Sequence, residues 1–68
     1  MSMNRKVLRD KLQRAINHLE DANNFLAEAY GMFAKYGNHY GKYKEYLIGI
    51  GQMIEFAKEN LERILEYI

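Results

Sequence analysis

The sequence predicts an all-α fold, an antiparallel helical hairpin that assembles into a four-helix bundle by homodimerisation. Three observations predict it. Proline is absent from the 68 residues, and good helix formers dominate outside the centre. Two apolar tracks run through the chain at coiled-coil spacing. Between them lies one short stretch, "YGNHYG", rich in turn-forming residues.

The first helix is expected over about residues 4–36. One track reads Leu8, Leu12, Ala15, Leu19, Ala22, Leu26, Ala29, Phe33, Tyr36, with steps that alternate four and three. Such spacing places apolar groups on one face of a helix and suits left-handed coiled-coil packing. The bend follows at residues 37–41. Gly37 suits the left-handed position that closes a helix, and Asn38 suits the cap of the next one. The second helix is expected over about residues 42–67. Its track reads Tyr43, Leu47, Ile50, Ile54, Ala57, Leu61, Ile64, Ile68 at the same spacing.

Folded at the bend, the two tracks match layer by layer. Tyr36 meets Tyr43, Phe33 meets Leu47, Leu26 meets Ile54 and Leu19 meets Leu61. Charge agrees, since Arg5, Lys6, Arg9, Lys11 and Arg14 begin the first helix and Glu55, Glu59, Glu62 and Glu66 end the second. The hairpin sets these ends side by side. Gly31, Gly49 and Gly51 each weaken a helix by roughly 1 kcal/mol relative to alanine. Close backbone approach of the helices accounts for them best, the other reading being a break near Gly31.

The whole chain, 1–68, makes one domain, and a chain this short rarely builds a strong core alone. It has no cysteine and hence no disulfide. Self-association is the remaining common stabiliser. Apolar residues outside the tracks point the same way. Val7, Phe25, Met32, Tyr46, Met53, Phe56 and Tyr67 form the expected self-association surface, covered in a bundle of two hairpins. Ile16 and Tyr30 are placed on the other edge of the first track.

Chemistry is not indicated. Glu-x-x-His pairs, His-Glu-x-x-His and phosphate-loop glycine spacing are all missing. No catalytic residue, metal site or cofactor is expected, and His18 is read as a bundle-edge residue bonded to a glutamate such as Glu62. The longest apolar run, "YLIGI", falls far short of the roughly 20 residues that span a bilayer. The start, "MSMNRKVLRDK", has no apolar signal core. These features lead to the expectation of a cytoplasmic protein with no membrane contact.

Two functional readings remain. The first is a non-catalytic interaction protein, of adaptor or regulator type and of a size common among phage- and plasmid-borne proteins. It self-associates and binds or inhibits a protein partner. The alternative is nucleic-acid or nucleotide binding at the bend, where His39, Tyr40, Lys42, Lys44 and Tyr46 are not needed for the turn or the seam. Aromatic rings stack on bases and lysines hold phosphates. The net charge of +1 argues against a general nucleic-acid binder.

Overall fold

The computed structural model describes residues 4–36 and 41–68. Among them the chain is all-helical: α1 spans Arg5–Lys35 and α2 spans Gly41–Tyr67. Asn4 caps α1, its side-chain oxygen accepting from the Val7 amide at 3.2 Å. This satisfies one of the amides that a helix start leaves unpaired. At the other end the Tyr36 amide donates to the Met32 carbonyl at 3.1 Å. Gly37 and Asn38, assigned to the turn by sequence, lie outside the described residues, as do His39 and Tyr40. The two helices pack against each other as a hairpin with principal extents of 56 × 17 × 14 Å.

The seam differs from the expected one by a roll of both helices. On α1 the shielded row is Leu12, Ile16, Leu19, Asn23, Leu26 and Phe33, with Leu8, Ala15 and Ala29 half-buried at its edge. On α2 it is Lys44, Leu47, Gly51, Ile54, Lys58, Leu61, Leu65 and Ile68. Every second position of each expected track is kept. The alternate positions move on by one residue throughout α2 and at Ile16 and Asn23 of α1, while Leu8 and Ala29 keep their places; Tyr36, Tyr43, Ile50 and Ile64 are exposed. The physical gain is the size of what enters. Rolling brings Ile16 and Leu65 inward and turns Ala15 and Ala22 toward the edge. Each buried methylene contributes about 0.8 kcal/mol. Ile16, expected at the track's edge, is the one buried hydrophobic among the described residues, at 3% exposure.

The roll also draws polar groups into the seam, and they are paired. The Asn23 amide donates to Glu55 Oε1 at 2.8 Å. Lys58 lays its stem in the seam and reaches Glu20 at 3.5 Å and Glu55 at 3.6 Å. Lys44 sets its amine 5.8 Å from the centre of the Tyr30 ring. These pairings meet the requirement that a shielded polar group keep a partner.

The rows are also offset by nearly one turn from the expected register. Tyr43 packs on Phe33, ring centres 5.9 Å apart, where sequence paired it with Tyr36. The Glu20–Lys58 and Asn23–Glu55 contacts are displaced in the same direction by one to two residues. Phe33 is therefore level with Lys44, Leu26 with Gly51, Leu19 with Lys58 and Leu12 with Leu65.

The charged ends and the glycines add detail to the hairpin. The basic start of α1 and the acidic end of α2 lie together, yet no ion pair joins Arg5, Lys6 or Lys11 to Glu59, Glu62 or Glu66. Instead Arg9 donates to the Leu65 carbonyl at 2.8 Å, where the carbonyl end of a helix favours a cation. Arg14 pairs within its own helix with Asp10 at 3.0 Å.

The glycines, too, behave differently from the close-approach reading. α1 runs through Gly31 without a break. A side-chain carbon added at Gly31 or Gly49 would meet nothing within 4 Å, whereas at Gly51 it would come 3.3 Å from Asn23 Oδ1. Gly49→Ala is therefore expected to raise stability by about 1 kcal/mol through helix propensity alone. A chemical-denaturation midpoint that stays level or falls would show that Gly49 has a packing role.

Candidate functional site: an uncovered apolar face

The rolled seam divides the rest of each helix into two flanks. In an antiparallel pair, residues that precede the seam row on both helices come to the same side of the hairpin. On α1 these are Ala15, Ala22 and Ala29, with His18, Phe25 and Met32 beside them. On α2 they are Tyr43, Ile50, Ala57 and Ile64, with Tyr46, Met53, Asn60 and Tyr67. One face of the hairpin is thus apolar along most of its length. Phe25 is 67% exposed, Met53 72% and Tyr67 87%.

Helix geometry and exposure together sort the expected self-association residues. Phe25, Met32, Tyr46, Met53 and Tyr67 share this face. Val7 and Phe56 are exposed as well. The packing of Tyr43 on Phe33 and the Asn23–Glu55 contact bring the Phe25 and Met32 stretch of α1 alongside the Tyr46 and Met53 stretch of α2.

The area of the hairpin makes the face unusual. A compact monomer of 8.1 kDa exposes about 4,500 Å². This chain exposes 5777 Å², roughly 1,300 Å² more. A stable protein interface buries about 800 Å² on each partner. The surplus belongs to the whole elongated hairpin, which is 56 Å long and 14–17 Å across.

The opposite face is polar, with Gln13, Asn17, Glu20 and Asn24 on α1 and Glu45, Gln52, Glu55 and Glu59 on α2. It carries an open groove of about 490 Å³, lined in part by Asn23, Ala27, Tyr30, Leu47, Ile48 and Gly51. Sequence reading missed this groove. Its signal was the small residues Ala27 and Gly51, which come beside one another only in the observed register.

The residues singled out at the bend do not form one surface. Tyr46 belongs to the apolar face. Lys42 points from the back of α2, its amine 5.9 Å from the centre of the Tyr43 ring. Lys44 lies in the seam against Tyr30. Two of the three basic and aromatic side chains are thus engaged with rings of their own chain, and His39 and Tyr40 lie outside the described residues.

His18 and Glu62, expected as a bonded pair, are not hydrogen-bonded. His18 is on the apolar flank of α1 and Glu62 is on the polar flank of α2. Among the described residues no three His, Asp or Glu side chains gather closely enough to hold a metal ion. No described helix is long and apolar enough to cross a membrane. Compared with known proteins, the chain matches no family model, no curated protein and no solved structure, so its apolar face is the ground on which its function is read.

Proposed function

We propose that this chain is a non-catalytic interaction protein: a hairpin that self-associates through its apolar face into a four-helix bundle and in that form binds and regulates a protein partner. The carrying observation is the uncovered face of Phe25, Met32, Tyr46 and Met53 on a hairpin that buries only Ile16 among its described hydrophobics. A core of one side chain does not offset the entropy of ordering two long helices. A second hairpin on the apolar face would provide the missing core and cover the surplus area.

The place left for a different protein is the opposite face. There Ile48 and Phe56 stay exposed beside Glu55 and Glu59. An apolar contact ringed by charge is the usual anatomy of a non-obligate interface.

Sedimentation equilibrium at micromolar concentration tests the first half. A dimer or larger species is expected, and a clean 8.1 kDa monomer overturns self-association. For the second half, pull-downs from the source cell compare the native chain with Phe56→Asp. A protein retained by the native chain and lost with the variant is expected. Equal recovery by both removes this face as the partner site.

A further inference from the structure

Resting on the reading of the polar face as a partner's site, we propose that its groove takes a basic amphipathic helix of the partner. Such a segment anchors one aliphatic or aromatic side chain over Gly51 and sets lysine or arginine, one and two turns away, at Glu55 and Glu59.

The groove exists because of what the helices lack there. Gly51 supplies no side chain and Ala27 only a methyl group, between the larger Leu26, Tyr30, Leu47 and Ile48. The hollow they leave measures about 490 Å³. A second hollow of about 450 Å³ continues it along α2, past Glu55 and Phe56 to Glu59. The two share Asn23, Ile48 and Gly51 and so form one trough. Glycine is unfavourable inside a helix. Here a side-chain carbon would come 3.3 Å from Asn23 Oδ1, so Gly51 leaves room both for Asn23 and for the depth of the trough.

Charge selects the occupant. The charged side chains that line the trough are Glu55 and Glu59. Glu55 uses Oε1 for the Asn23 amide at 2.8 Å and for Lys58 at 3.6 Å, which leaves its Oε2 for an incoming cation. Glu59 forms no ion pair among the described residues. The neighbouring cations are held by the chain itself, Lys58 between Glu20 and Glu55 and Lys44 against the Tyr30 ring. Around Lys58 three carboxylates, Glu20, Glu55 and Glu59, share one ammonium, a surplus of two negative charges. The chain as a whole carries +1. A basic segment is therefore drawn to this trough rather than to the molecule at large.

Spacing gives the occupant its form. Gly51, Glu55 and Glu59 follow one another at four-residue steps on α2, about 6 Å apart along the axis. A second helix lying in the trough repeats its own side chains at the same steps. With an apolar side chain seated over Gly51, residues four and eight positions away come beside the two carboxylates. An anchor in a groove supplies affinity, and the charges on its rim set direction and register.

Two fluorescein-labelled helical peptides of about 16 residues test this by fluorescence anisotropy. Each carries one leucine, with lysine four and eight residues after it in one peptide and before it in the other. Control peptides carry glutamate for lysine. Saturable binding of at least one lysine peptide is expected, with its control weaker by about tenfold or more. Glu59→Lys is expected to weaken binding about five- to tenfold by reversing a charge on the rim, and Ala27→Leu about tenfold by filling the trough. Both positions are exposed, so helical circular dichroism should match that of the native chain. Absence of binding, equal affinity for lysine and glutamate peptides, or unchanged affinity in either variant overturns the proposal.

The pull-down with Phe56→Asp separates this inference from the reading beneath it. A cellular protein that is lost with Phe56→Asp, but is indifferent to Glu59→Lys and to excess lysine peptide, leaves the partner site standing and removes the basic helix. Equal recovery by the native chain and Phe56→Asp removes the partner site and this occupant with it.

Discussion

Aspartate at both Phe25 and Met53 is expected to leave the chain monomeric and largely unfolded. Both side chains stand well exposed on the apolar face, at 67% and 72%, so in an isolated hairpin the substitutions would cost little. In an assembled bundle they would bury two carboxylates without partners in each copy. An uncompensated buried charge costs several kcal/mol even after relaxation. Association should weaken at least about a thousandfold, since each 1.4 kcal/mol is a factor of ten.

Folding is expected to fail with association, because what remains is a hairpin with one fully shielded aliphatic. Helical circular dichroism and sedimentation should therefore fall together. The native chain should show the same coupling on dilution, its melting temperature dropping as concentration falls. A variant that stays fully helical and cooperative as a monomer would show that the hairpin stands by itself.

Ile16→Ala is expected to be the most damaging single truncation in the seam. Ile16 is 3% exposed, and its level brings Leu61 opposite, with Leu12 and Leu19 on either side. Truncating a buried isoleucine to alanine costs about 2–5 kcal/mol, through lost transfer energy and the cavity left behind. A chain this small has about 3–5 kcal/mol to lose. The variant should be unfolded, or nearly so, at room temperature. Val7→Ala removes a similar aliphatic from the exposed back of α1 and should change stability by less than about 0.5 kcal/mol. Urea midpoints that fall equally for the two variants would show that the seam does not run through Ile16.

The expected and observed seams differ in an instructive way. Leu12, Leu19, Leu26 and Phe33 on α1, with Leu47, Ile54, Leu61 and Ile68 on α2, were legible because nothing competes with them for the inward position. The alternate positions were not. Ala15 and Ile16 are adjacent, and either extends the apolar spacing. Ala22 kept a clean track where Asn23 would have interrupted it, and Ala57 did the same beside Lys58. A pattern reader follows the unbroken track. The folded chain follows volume, takes in Ile16 and Leu65, and meets the polar intruders with Glu55 and Glu20.

At the bend, Lys44 stands two residues from both Lys42 and Tyr46, a spacing at which helix neighbours point apart, whereas Lys42 and Tyr46 are four apart and lie on neighbouring parts of the surface.

The sequence by itself determined that there are two helices, where each begins and ends to within a residue, and that more apolar surface exists than one seam can bury. Those features are local: helix propensity, capping and residue spacing act within a few turns. Only the tertiary structure decided the roll of each helix, the near one-turn slide between them and hence which residues share the uncovered face. These depend on the sizes of side chains that meet across the seam. Rotation of about 100° per residue means that a seam displaced by one position gives the same sequence a different surface.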